Sequence, residues 1–380
     1  MTALRTQLAS QLARPRLVLD SVRDIAPRPG ASPAAEGGGR TRLLPLAWLA
    51  TIGLFGLLMG RSVGGFLHAL ERALQDGWRL VALGALLEVG SLAGYVALLH
   101  RLLGGFSAGI RAKDSYDITM AGTAATRLLP TAGLGGAAVT VWALRARGLR
   151  SGEITERLLA FLLILYAVYV WALLVFGAAV GLGLVTVSAG SGLGLLAVGL
   201  AVVLTVAVLT LLLAPSLTVG VLGRLASGSG RLAPQVQRAV DHVPALRAAL
   251  VRAGRELRRP HPALLGALAW WALDIGVLLA MLHAFDTPLP IPVVVLAYFL
   301  GTMCNLLPLP GSLSGGLAGM LIAFGAPAGG ALAAVLAYRT IAVWLPAASG
   351  VASLFSLRAT VACWRAEGAV IRTPAHLPAV

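Results

Sequence analysis

Apolar residues run through this chain in long blocks, not in the alternating or one-sided patterns of soluble strands and helices. Blocks of 17 residues or so are long enough to cross a ~30 Å hydrocarbon core at 1.5 Å per residue. The uninterrupted ones predict spanning helices at 43–60, 79–103, 158–185, 192–214, 262–285 and 328–350. Two further blocks break the pattern. Residues 116–149 contain R-L-L-P-T-A-G-L-G-G (127–136), and residues 291–325 contain N-L-L-P-L-P-G-S-L-S-G-G (305–316). Irregular backbone at membrane depth is tolerated only where protein or a cavity satisfies its freed N–H and C=O groups. These two segments therefore predict a site between them, since paired interruptions in corresponding halves mark substrate sites in transporters.

The charge pattern gives the interruptions a direction. His100, Arg101, Arg111 and Lys113 precede the first, and Arg145, Arg147, Arg150 and Arg157 follow it, so both of its ends lie on the cytoplasmic side. It is a re-entrant hairpin, with Pro130, Gly133, Gly135 and Gly136 supplying the turn. A last span whose arginines 358, 365 and 372 lie inside requires residues 291–325 to begin and end outside. That makes a second hairpin from the opposite face, with Asn305, Pro310, Gly311, Ser312 and Ser314 around its break. The expected fold is an all-α integral membrane protein of about six spanning helices plus two re-entrant helical hairpins in an inverted repeat. Repeat one covers 79–185 and repeat two 262–350. L-E-V-G-S-L (87–92) matches L-D-I-G-V-L (273–278), and R-L-L-P matches N-L-L-P, with the offset shrinking only from 186 to 178.

Outside the spans the periodicity changes. Phe66, Leu70, Leu74 and Trp78 recur every fourth residue beside Glu71, Arg72 and Asp76, the pattern of a helix lying in the interface. In 215–262 an apolar stripe of Val236, Val240, Val243, Leu246 and Leu250 is opposed by arginines. This predicts a cytoplasmic amphipathic segment suited to an anionic lipid surface, with a plain connector as the alternative. Residues 1–42 are polar, Pro/Gly-rich and carry seven arginines, reading as a retained, disordered cytoplasmic tail. The membrane domain is expected at 43–358 and a second cytoplasmic tail at 359–380.

Composition narrows the class. With 58% hydrophobic and 12% charged residues, soluble domains are excluded. The net charge of +15 follows from the positive-inside rule, and no nucleic-acid motif accompanies it. Cys304 and Cys363 lack metal or redox spacing, and the six histidines form no ligand motif. No cofactor or metal is expected, and no catalytic residue. A homo-oligomer is compatible with these features.

Four ionisable residues sit inside apolar blocks: Glu88, Arg127, Asp274 and Arg339. Each costs roughly 2.5–3.5 kcal/mol at a helix centre, so each needs a reason. In one reading Arg127 and Arg339 hold an anionic group such as a lipid phosphate, which a planar bidentate donor suits. The carboxylates then neutralise the empty site or take a proton, and Tyr338 lines the site beside Arg339. In the other, Glu88 pairs with Arg127 and Asp274 with Arg339, only tying helices together. Backbone N–H groups at Gly135 and Gly136, or at Ser314, Gly315 and Gly316, are candidate anion donors.

The stretch 127–149, with L-P-L-P-G-S (307–312), G-G-L-A-G-M-L-I-A-F-G-A-P (315–327) and A-Y-R-T-I-A-V-W-L-P (337–346), resembles the membrane domain of the lysylphosphatidylglycerol synthase/flippase family. The likeness covers roughly residues 43–360. It implies translocation of an aminoacylated phosphatidylglycerol, another phospholipid or a polyprenyl-linked glycan between leaflets of the plasma membrane, with both termini cytoplasmic. The family's P-G-G-x-G-x-x-E becomes P-G-S-L-S here, so Ser314 or no residue replaces the acid, and headgroup preference does not carry over. The soluble synthase domain is missing from this sequence, and no aminoacyl transfer is expected of it. Two rivals stand beside the flippase-like transporter. One is a membrane glycosyltransferase using a polyprenyl-phosphate sugar, whose acidic pair would have to be Glu71 and Asp76. The other is a scaffold that docks a partner enzyme through 215–262.

Overall fold

Uniformly apolar runs become single long helices, and the runs broken by proline and glycine become pairs of short ones. The computed structural model describes residue 71 and residues 77–103, 109–128, 134–185, 192–228, 233–306 and 311–372. The unit from Met1 to His68 lies outside that set, as do the expected span at 43–60, most of the interfacial helix, Asp76, Pro130 and Pro310. Among the described residues the helices are α1 (Trp78–Leu102), α2 (Ala112–Leu128), α3 (Leu134–Ala146), α4 (Ser151–Gly181), α5 (Gly192–Leu213), α6 (Pro215–Gly228), α7 (Ala233–Leu257), α8 (Leu265–Ala284), α9 (Ile291–Thr302), α10 (Ser312–Ala323) and α11 (Ala328–Arg372). Five are long and apolar enough to cross a membrane: α1, α4, α5, α8 with the 3-10 turn before it, and α11.

The fold is built about the crossing of α1 and α8. Gly94 lies against Gly266 and Ala269, Gly90 against Leu273, Leu87 against Gly276, and Gly84 against Val277 and Met281. Contacts that descend one helix while climbing the other make the pair antiparallel. The glycines bring the two backbones together, which is how helices in lipid gain contact area when no hydrophobic force separates protein from solvent. Ser91 seals the crossing by donating its hydroxyl to the carbonyl of Trp270 at 2.9 Å.

Each interrupted segment is a helical hairpin. In the first, α2 and α3 meet where Gly136 rests on Gly122, and the Gly136 N–H donates to Thr126 Oγ1 at 3.0 Å. In the second, α9 and α10 meet where Gly316 rests on Gly301 and Cys304. Hairpin one packs along α11 and hairpin two along α4, so each leans on the closing helix of the other repeat. The exchange is reciprocal in detail. Ser349 Oγ reaches Met120 Sδ at 3.4 Å, and Tyr169 donates to the carbonyl of Phe299 at 2.5 Å. Corresponding partners differ by 179 or 180 in number in every case (122 and 301, 136 and 316, 120 and 299, 169 and 349). These matched contacts, with α1 and α8 antiparallel at the axis, are the geometry of an inverted repeat.

Two boundaries and one helix face differ from the sequence reading. α4 begins at Ser151, two turns before the apolar run, because Glu153, Glu156 and Arg157 extend it as a polar end: Arg157 pairs with Glu153 at 2.5 Å. α11 runs unbroken through Pro346 to Arg372, roughly 68 Å at 1.5 Å per residue, so the tail expected from 359 is largely helix. Its far half is held by the first hairpin's end, with Arg147 over the Trp364 ring at 5.7 Å and Arg365 over Trp142 at 5.8 Å. Finally, the stripe of α7 faces protein: α7 packs on α4 and α6, burying Val243, Ala249 and Ala253.

Candidate functional site

Asp274 sits at the middle of α8, 4% exposed. A carboxylate so placed needs donors, and it finds two tyrosines. Tyr298 of α9 and Tyr338 of α11 both donate to Oδ2, the latter at 2.8 Å. One acid therefore ties the core helix, the first arm of hairpin two and the closing helix of repeat two. The Asp274–Arg339 ion pair considered from sequence is not formed. Tyr338 and Arg339 are consecutive on a helix and point about 100° apart, so only one can face Asp274, and the tyrosine does. Among the described residues half-buried Arg339 forms no ion pair.

Glu88 is fully buried on α1. It lies one turn from Ser91, as Asp274 lies one turn from Trp270, and in antiparallel helices joined by the Ser91–Trp270 bond those turns run to the same side. The two acids therefore occupy the same level of the central crossing. The side chain of Arg127, and with it the expected pairing with Glu88, lies outside the described residues, while its backbone belongs to α2. Asp117 meets Ser356 and Met120 meets Ser349 in an antiparallel register of α2 on α11. Continued, this sets Arg127 about five residues, or roughly 8 Å at 1.5 Å per residue, from the level of Arg339.

Aromatic rings fill the space beside Asp274. Trp271 is T-shaped against Tyr169, Tyr298 and Phe299, with centroids 5.8, 6.1 and 5.4 Å away, and its indole N–H donates to the Leu165 carbonyl at 2.8 Å. Edge-to-face contacts of this kind add to the burial of the rings themselves. Tyr298, Trp271 and Tyr169 were not singled out from sequence. Tyr298 had one legible signal, as a hydroxyl in the otherwise apolar run V-V-V-L-A-Y-F-L three residues before Gly301.

The hairpin glycines turn out to have a packing role. The Gly136 N–H is taken by Thr126, and the Gly315 N–H donates to the Gly311 carbonyl at 2.8 Å, so neither serves as an anion donor. Gly135 and Ser312 are engaged as well. Gly316 is an approach site, since a Cβ there would stand 2.5 Å from the Gly301 carbonyl oxygen. Gly311 precedes α10 at φ 80°, a left-handed conformation that favours glycine. Ser314 is half-buried in the first turn of α10, and Asn305 lies in the 3-10 turn Met303–Leu306, its side chain outside the description. The site residues thus divide: Asp274 and Tyr338 meet directly, Glu88 shares their level, Arg339 adjoins them, and the hairpin glycines hold the arms together.

The chain is a multi-pass membrane protein by its five long apolar helices. No curated protein matches it. Over residues 43–350, nearly the whole of the inverted repeat just described, its sequence fits the family described as the lysylphosphatidylglycerol synthase TM region, and the chain belongs to that family.

Proposed function

We propose that this protein is a flippase-like transporter that moves a phospholipid or polyprenyl-phosphate-linked lipid between the leaflets of the plasma membrane, without covalent chemistry of its own. Membership in a family of membrane domains associated with lipid handling supports the class. The observation that carries the reading is the reciprocal packing of the hairpins, each held by the other repeat's closing helix over a crossing with two buried acids. Such a pair can rock about the crossing and open to either face, since the contacts at the two ends are equivalent.

In this mechanism Arg339 and Arg127 receive the headgroup phosphate as bidentate donors. Asp274 does not compete for Arg339, because it is Tyr338 that α11 turns toward the acid. The aromatic filling beside Asp274 corresponds to a closed state, in which those rings exclude water from the acid. Both termini face the cytoplasm, and residues 215–262 lie along its anionic leaflet.

The test is leaflet exchange of a fluorescent phosphatidylglycerol in proteoliposomes, read by quenching of the outer leaflet. Arg127→Ala and Arg339→Ala should each slow exchange at least ten-fold, the loss of one charge-assisted phosphate contact of about 1.5–3 kcal/mol. Exchange at the unsubstituted rate in both variants would remove the arginines from the mechanism.

A further inference from the structure

Two grooves open along α7, and they share a wall. One, of about 350 Å³, is lined by Glu156, Pro244, Arg247, Ala248, Val251 and Arg255. The other, of about 130 Å³, is lined by Arg252, Arg255, Glu256 and Arg259. The first is mainly apolar and the second almost wholly ionic, with Arg255 standing between them.

The ionic side has more cations than it needs for its own structure. Glu156 is taken by Arg252 at 3.2 Å, and Glu256 by Arg101 of α1 at 3.0 Å. Those pairs fasten α7 to α4 and α1. Among the described residues Arg247, Arg255 and Arg259 are left with no ion pair. Arg252 and Arg255 lie three apart on one edge of the helix, and Arg259, in the turn just past Leu257, lines the same groove. The negative end of the α7 dipole opposes an anion here, and clustered guanidinium groups outweigh it.

From this juxtaposition we infer a binding site for one anionic phospholipid on α7, its phosphate at Arg255 and Arg259 and an acyl chain along Pro244, Ala248 and Val251. A free phosphate would use the ionic groove and gain nothing from the apolar one. A neutral lipid would use the apolar groove and leave the arginines without an anion. Only an amphiphile with an anionic head satisfies both. The site shares no residue with the hairpins or with the acids at the central crossing, and its occupancy is read without transport, so the two readings fail separately.

The experiment measures binding of dihexanoyl phosphatidylglycerol, dihexanoyl phosphatidylcholine and inorganic phosphate to the full chain in detergent, by native mass spectrometry. Phosphatidylglycerol should bind best. Neutralising Arg255→Gln and Arg259→Gln together should weaken it roughly 25-fold, about five-fold per arginine near an anionic lipid. Arg358→Gln, an exposed arginine on α11, should leave it unchanged. Val251→Asn should weaken phosphatidylglycerol several-fold and leave phosphate alone. Equal binding of phosphatidylcholine, displacement by equimolar phosphate, or an equal loss in Arg358→Gln each overturns the site. If the double variant unfolds early in a thermal melt, Arg255→Lys with Arg259→Lys keeps the charge but not the fork. It should retain binding at a several-fold cost, and undiminished affinity would overturn the bidentate seat.

Discussion

In repeat two the mid-helix acid holds two tyrosine hydroxyls, while in repeat one the corresponding acid has no tyrosine at either place. The numbering offset of 179 or 180 that matches the hairpin glycines sets Thr119 opposite Tyr298, and leucines 158 and 159 opposite Tyr338. The Thr119 hydroxyl donates to the Ser115 carbonyl of its own helix at 2.7 Å. The backbone plan is thus duplicated and the side-chain chemistry is not. Symmetric glycine contacts fix how the halves pack, and the tyrosines present in one half only decide which acid is clamped.

The largest effect should come from the element both halves share. A Cβ on Gly266 runs into the Gly94 carbonyl, so Gly266→Leu forces the central helices apart. Overpacking of a tight contact costs about 1–3 kcal/mol or more, and here it disturbs both repeats at once. The variant should lose most of its monodisperse fraction in detergent. Gly136→Val and Gly316→Val act on one hairpin each and should destabilise by similar amounts, about 1–3 kcal/mol in a thermal melt. Gly315→Ala and Gly319→Ala, where an added Cβ meets nothing within 4 Å, should be neutral or stabilising by up to ~1 kcal/mol. Markedly unequal costs at Gly136 and Gly316 would break the structural equivalence of the hairpins.

The chemical difference is sharpened by paired substitutions. Asp274→Asn and Tyr338→Phe remove two ends of one buried bond, so their combined cost should fall short of the sum by about 0.5–3 kcal/mol. Glu88→Gln with Thr119→Val, the matching pair in repeat one, should be additive within ~0.5 kcal/mol, because the threonine hydroxyl is committed elsewhere. Equal coupling in both cycles would mean that the clamp is not a property of repeat two.

Much of this plan was legible from residue order. Pro and Gly in apolar runs gave both hairpins, and the matched L-E-V-G and L-D-I-G segments gave the two acids and the central pair. The offset slid from 186 at the acids to 179 or 180 at the hairpins for two reasons: α8 ends ten residues past its acid and α1 fourteen, and the link after α8, residues 285–290, is three shorter than the one after α1, residues 103–111. What residue order did not give was direction around a helix. Tyr338 and Arg339 are neighbours, and periodicity alone does not say which faces α8, so an ion pair with Asp274 and an arginine left for an anionic group both stayed open. Helix ends failed for a related reason. Arginines 358, 365 and 372 marked the end of the apolar run, but a helix continues wherever its polar turns find partners, and Trp364 and Arg365 found theirs on hairpin one. The α7 stripe has the same periodicity whether it meets lipid or α4.

The hairpins also differ at their feet, and here the expected effect is smallest. At the start of α2, Lys113 Nζ donates to Asp117 Oδ2 at 2.8 Å and to Ser356 Oγ of α11 at 2.6 Å, and Ser356 donates to the same carboxylate at 2.7 Å. Hairpin two instead begins with Ile291 and Pro292, which bring no such donor. The hydrogen bond to Asp117 raises the Lys113 pKa above its ordinary 10.5, against a smaller desolvation effect. A raised lysine contributes stability that is fully present below 10.5 and is lost as pH climbs through the folded value. Lys113 is fully exposed, so solvent screens the pair and the contribution is slight. Lys113→Met should therefore lower the melting temperature slightly and by a constant amount from pH 7 to 10, the gap closing only above 10.5. Hydrogen exchange should quicken at 112–117 and not at 291–296. A gap that closed well below 10.5, or an equal quickening at 291–296, would mean that the two hairpin feet do not differ by the lysine.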